Sequence, residues 1–103
     1  MRTIRMEEMS WPEIKAAIGS GFTTAVFAVG STEQHGPHLP TMTDARIGDD
    51  VAGRVARKLG HALQARTIDL GISEHHLAFA GTVSLKPETL ALVLRDTIAS
   101  LAR

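Results

Sequence analysis

The stretch "TTAVFAVG", residues 23–30, most narrows what this chain can become. It is β-branched and apolar, does not alternate, and is closed by Gly30. A strand with one wet face alternates, whereas an unbroken apolar run suits a strand covered on both faces of a parallel sheet. We place that strand at Ala25–Val29. A polar stretch follows, and then Ile47, Val51, Val55 and Leu59 recur at a four-residue spacing. Ala52 and Ala56 flank that stripe and Gly60 closes it, as expected for an amphipathic helix of about four turns.

The remaining segments fit the same alternation. "SWPEIKAAIGSG" carries a capping box, Ser10-x-x-Glu13, with Pro12 in the first turn, and predicts a helix from about Trp11 to Ile18. "HALQARTIDLG" reads as a second strand, placed at Thr67–Leu70 and stopped by Gly71. The last helix opens at Pro87 and Glu88 and runs through Leu90, Val93, Leu94, Ile98 and Leu101. Strands alternating with helices define an α/β fold with a mostly parallel sheet. Two strands alone make a poor sheet, because each needs neighbours and covering helices. We therefore read residues 1–103 as the N-terminal segment of a larger domain whose C-terminal part is absent.

Composition narrows the function classes. Eleven basic residues balance eleven acidic ones. Nucleic acid and anionic membrane surfaces both select a basic excess, so neither is expected as the main partner. There is no cysteine, which removes disulfides and thiolate metal sites. The charged N-terminus lacks the apolar core of a signal peptide, and no apolar run reaches membrane-spanning length. A cytoplasmic protein is expected. All five histidines fall between His35 and His76, a crowding that directs attention to the loops.

Ligands of open α/β sheets bind beyond the carboxyl ends of the strands, where both histidine-bearing loops should lie. In "VGSTEQHGPHLPTMTD", residues 29–44, Glu33 and His35 are two apart and would share one side of an extended segment. A carboxylate and a neutral imidazole suit zinc, manganese or a similar divalent ion. Pro37 and Pro40 restrict the backbone between them and Asp44. Asp44 could bridge two ions, but from the local pattern alone a helix N-cap is the commoner role for an aspartate there. A Glu-x-His pair is also frequent in loops that hold no metal. His38 and His61 read as surface residues, and Met42 and Phe79 as plugs for apolar gaps. His75 and His76 would point to opposite sides if extended, leaving at most one facing the site. A phosphate loop is excluded, because neither glycine-rich nucleotide pattern is present and the loop offers carboxylates where phosphate needs donors.

At these residues the chain resembles the creatininase (creatinine amidohydrolase) family. "VGSTEQHGPHLPTMTD" resembles that family's G-S-x-E-Q-H-G-P-H-L-P loop followed by T-D, and "GISEHHLAFAGTVSL" resembles its second motif, which commonly ends F-P-G-T-x-S-L. Ala80 stands where proline is commoner. The resemblance implies a three-layer α/β/α domain, homo-oligomeric assembly and hydrolysis of amide-type, often cyclic, C–N bonds of a small-molecule substrate. It implies two divalent ions, zinc or manganese and in some members iron, which activate water and polarise the carbonyl. Carried over by position, Glu33 would bind one ion, His35 the other, and Asp44 would bridge them, with Ser73 and His75 as candidate substrate-binding residues. A later Gly-His motif of the family, which completes the metal set, does not occur in these residues. The segment alone is therefore expected to be inactive, and a truncated metal-binding or assembly module without catalysis is the alternative.

Overall fold

The computed structural model describes all residues, Met1–Arg103. Its elements in chain order are α1 (Trp11–Gly19), β1 (Thr24–Val26), α2 (Thr43–Leu59), β2 (Ala62–Gln64) and α3 (Pro87–Leu101). The Ser10 capping box forms as its sequence requires. The Ser10 hydroxyl accepts from the Glu13 N–H, and the Glu13 carboxylate accepts from the Ser10 N–H at 3.1 Å. Gly60 takes the left-handed conformation that ends α2.

β1 and β2 pair in parallel, with Thr24 opposite Ala62 and Val26 opposite Gln64. Both tracks continue past the regular strands through a parallel bridge between Val29 and Ile68. On the far side of β2 a parallel bridge joins Arg5 to Gln64. The result is a mixed α/β fold with a small parallel sheet centred on β2. The strands thus start earlier than the expected Ala25–Val29 and Thr67–Leu70, although the expected segments carry the outer bridge.

Burial reverses one expectation. The apolar run that suggested a doubly covered strand leaves Thr24 and Ala25 exposed, whereas every residue of β2 is buried. β2 has a neighbour on each side and α2 over it; β1 has a neighbour on one side only. Position in the sheet, not hydrophobicity, decides which strand is covered.

α2 packs on both strands, but not through its large apolar stripe. Ile47, Val51, Val55 and Leu59 are exposed, while Ala52, Gly53 and Ala56 are buried. The sheet-facing side is made of small residues because helix and sheet approach closely: a Cβ on Gly48 would lie 2.9 Å from that of Ala28. Buried apolar residues are Ala17, Ala52, Ala56, Ala62, Leu63 and Ala65, a core almost wholly of alanine. Met42 and Phe79, expected to plug gaps, are about half exposed.

A partly buried polar network joins the N-terminal segment to this core. Asp49 of α2 accepts from both Arg5 guanidinium nitrogens, at 3.0 and 3.3 Å, and from the Thr67 hydroxyl at 2.8 Å. The buried Gln64 amide donates to the Asp49 carbonyl at 2.9 Å.

Candidate metal centre

The site forms where β1 ends against the first turn of α2. Gly30 donates its N–H to the Ile68 carbonyl at 2.7 Å and lies under α2, where an added Cβ would fall 2.6 Å from the Ala45 Cα. Only glycine allows that approach, and it brings Ser31 face to face with Asp44. The buried Ser31 hydroxyl lies 2.7 Å from Glu33 Oε1 and 2.8 Å from Asp44 Oδ2. A hydroxyl has one proton, so it can donate to one carboxylate. The second short contact then sets oxygen lone pairs against each other unless a proton or a cation is shared.

Asp44 does not cap its helix. α2 starts one residue earlier, at Thr43, with Met42 in the N-cap position and no side-chain cap. The Asp44 carboxylate turns away to Ser31 and to His35, whose Nε2 lies 3.1 Å from Oδ1. His35 Nδ1 lies 3.3 Å from the Glu33 carbonyl. The Glu33 carbonyl and the ionised Asp44 carboxylate both only accept, so without a metal the two contacts favour a doubly protonated His35; when Nε2 gives up its proton to ligate, the carbonyl keeps the other on Nδ1. The Glu33 carbonyl, then the Asp44 charge, raise the pKa of His35. The Ser31 hydroxyl, with His35 behind it, holds the Asp44 carboxyl below its ordinary value.

The second loop closes over this group. Val83 donates to the Thr32 carbonyl at 2.9 Å, Leu85 to the Gly71 carbonyl at 2.8 Å, and the Gln34 N–H to the Thr82 hydroxyl at 3.1 Å. His75 and His76 lie in a single 3-10 turn, Glu74–His76, rather than in extended chain. Both rings therefore reach the site, against the expectation that only one could. His76 Nε2 lies 3.1 Å and His75 Nε2 3.9 Å from Glu33 Oε2. His75 is largely exposed at the rim.

Glu33 Oε2 is buried and has no hydrogen bond, because the nearby His76 Nε2 is off the hydrogen-bond axis. Such an orphaned carboxylate oxygen costs about 1–3 kcal/mol or more unless something occupies it. Two carboxylates crowded on one hydroxyl, an orphaned carboxylate oxygen and an imidazole nitrogen facing the same space together suit a divalent cation of intermediate hardness. Glu33, His75 and His76 also present three donor atoms within 4.8 Å of one another.

Ser73 is fully buried; its N–H donates to the Ser84 hydroxyl at 2.8 Å, and its own hydroxyl has no partner. The structure brings Glu33, His35 and Asp44 together, places His75 at their edge and keeps Ser73 beneath the loop. Ser31 and Gln34 escaped sequence reasoning, and of the His75–His76 pair only His75 was carried forward. A lone serine and glutamine carry no pattern, and a three-residue 3-10 turn has no periodicity to detect.

The family model for creatininase, described as creatinine amidohydrolase, matches residues 7–103. Over 71 residues the chain is 48% identical to the mycofactocin precursor peptide peptidase of Mycolicibacterium smegmatis, covering 64% of this chain and 29% of that protein. It is 31% identical to the creatinine amidohydrolase of Pseudomonas putida, covering 99% of this chain and 41% of that one. The crystal structure of a creatinine amidohydrolase superposes with a TM-score of 0.89 at 31% identity, over 100% of this chain and 41% of the other. Similar solved creatininases include a Zn–Zn-type mutant and a manganese form. The chain spans less than half the length of these relatives, and it matches their N-terminal part. With its signature loops, its fold and its family match in agreement, this chain belongs to the creatininase family.

Proposed function

We propose that residues 1–103 form the N-terminal segment of a creatininase-like domain and supply Glu33, His35 and Asp44 to a dinuclear centre for hydrolysis of an amide-type C–N bond. The observation that carries this reading is the buried, orphaned Glu33 Oε2 beside a second carboxylate that shares its only hydroxyl donor. Zinc or manganese, or iron, is the resident ion. When bound, such ions lower the pKa of water and polarise a carbonyl.

The protein's own groups prepare that chemistry. Ser31 donates to one carboxylate and lies within 2.8 Å of both, so it sits between their facing edges. The Glu33 carbonyl holds the His35 proton on Nδ1 and leaves Nε2 free to ligate. Asp44 sits in the first turn of α2, where the helix N-terminus favours its negative charge. Its place between Ser31 and His35 suits the bridging role. His75, at the exposed rim, and Ser73, with its unpaired hydroxyl, are the substrate-binding candidates.

The substrate is a small molecule bearing an amide-type bond, and assembly is homo-oligomeric. No helix is long and apolar enough to cross a membrane, and we propose a cytoplasmic location. The 103-residue chain alone supplies three of the ligands two ions need, so it binds metal weakly and does not turn over. Calorimetric titration with Zn²⁺ or Mn²⁺ tests this. Weak binding that disappears in Asp44→Ala is expected; two tightly held ions per chain with amide hydrolysis would refute the incomplete-site reading, and binding indifferent to Asp44→Ala would refute the ligand assignment.

A further inference from the structure

The donor atoms of Glu33, His75 and His76 are spaced like metal ligands, yet the hydrogen bonds of His76 give it a different role. The Gly36 N–H donates to Gln34 Oε1 at 2.9 Å, and this backbone donor fixes which end of the amide is oxygen. Gln34 Nε2 is therefore a donor, and it lies 2.7 Å from His76 Nδ1. His76 Nδ1 must accept, so a neutral His76 carries its proton on Nε2, the nitrogen 3.1 Å from Glu33 Oε2. His35 differs, because both of its ring nitrogens face acceptors, the Glu33 carbonyl and the Asp44 carboxylate.

The geometry points to His76 as a positioning residue: Gln34 holds it as the Nε2–H tautomer, and that N–H faces the buried Glu33 Oε2 at 3.1 Å, off the hydrogen-bond axis, as an electrostatic contact that orients the carboxylate without ligating a metal. The off-axis approach leaves an Oε2 lone pair open to a cation. The chain Gly36 to Gln34 to His76 to Glu33 acts through the carboxylate as an outer-shell support. The functional part of this inference rests on Glu33 being a ligand, whereas the tautomer and its contact with Glu33 do not.

Imidazole nitrogen NMR of the metal-free protein tests the tautomer. The expected result is protonated Nε2 and bare Nδ1 for His76. In Gln34→Glu, which replaces a donor by an acceptor, the His76 pattern should invert. Zn²⁺ affinity tests the function: His76→Leu should weaken binding about 10–100-fold, and His76→Gln, which restores an N–H donor, should recover most of it. Circular dichroism of each variant checks that it folds. An Nδ1–H tautomer of His76 in the wild type overturns the proposal, as does loss of the Nε2 proton when Zn²⁺ is added. Equal losses in Leu and Gln variants overturn it too. A wild type that binds no metal but shows the expected tautomer, shifted by Glu33→Gln, sinks the ligand assignment and supports the anchor.

Discussion

His35 Nε2 lies 3.1 Å from Asp44 Oδ1, nine positions apart across the segment that contains both loop prolines. Both groups can turn a lone pair to one cation once His35 gives up its Nε2 proton, so the pair suits a shared metal. Removing one charge should therefore cost metal binding more than folding. At metal 100-fold above Kd the wild type gains about 2.7 kcal/mol of stability. In Asp44→Asn, with affinity lowered about 100-fold, the same metal concentration should add only about 0.4 kcal/mol. Thermal unfolding with and without Zn²⁺ measures both; an undiminished metal-induced rise in Tm would exclude Asp44 as a ligand.

The Arg5–Asp49 pair governs acid stability. The Arg5 guanidinium, by hydrogen bonding first, holds the Asp49 carboxyl below its ordinary value, and the Thr67 hydroxyl adds to this. A carboxyl depressed in the folded state adds stability that is complete above its unfolded pKa and is lost as pH falls through the folded one. The window thus lies at and below the ordinary carboxylate pKa, near 3.8. Asp49→Asn should lower stability at neutral pH by about 1–3 kcal/mol and flatten the acid limb, because a charged acceptor is lost beside Arg5 and Gln64. Urea unfolding from neutral pH down to pH 3 reads the difference. An unchanged acid limb would show that the pair contributes nothing.

Gly30→Ala probes how the loop is seated. The new Cβ would meet the Ala45 backbone, with the Cα at 2.6 Å and the N at 2.9 Å, so α2 or the strand must shift. Overpacking of this kind costs about 1–3 kcal/mol. The same displacement pulls Ser31 from Asp44, so metal affinity should fall along with stability. Gly19→Ala, where an added Cβ meets nothing within 4 Å, is the control and should leave metal affinity unchanged. Calorimetric Zn²⁺ titrations of both variants, beside their urea midpoints, check the pairing of the two losses.

The legible parts of this protein are those written in local sequence. The Ser10 capping box, Pro87 at the start of α3 and Gly60 at the end of α2 act within a few residues, and their helices end close to where those residues imply. Glu33, His35 and Asp44 could be grouped because loop and helix are contiguous and the family motif singles them out. Burial was not legible, because it depends on neighbours distant in sequence: β2 is covered by Arg5, β1 and α2 together. The contact of His76 with Gln34 stayed hidden for the same reason, since the two lie 42 residues apart. Hydrophobic periodicity located α2 and its apolar stripe, but it cannot say which face meets the sheet when the adjacent face is glycine and alanine.

That stripe carries the last prediction. Ile47, Val51, Val55 and Leu59 are 44–58% exposed on one side of α2, and Trp11, Leu92 and Ile98 add further exposed apolar area. An apolar row of this length on a protein surface favours association. The 103-residue chain should therefore self-associate in a concentration-dependent way. Because the stripe lies outside the buried core, Val51→Lys with Val55→Glu should change the stability of the folded chain by no more than about 0.5 kcal/mol per site. It should also shift the sedimentation profile toward monomer. A double variant that unfolds would place the stripe in the core after all, and one that associates as strongly as the wild type would move the contact to another surface.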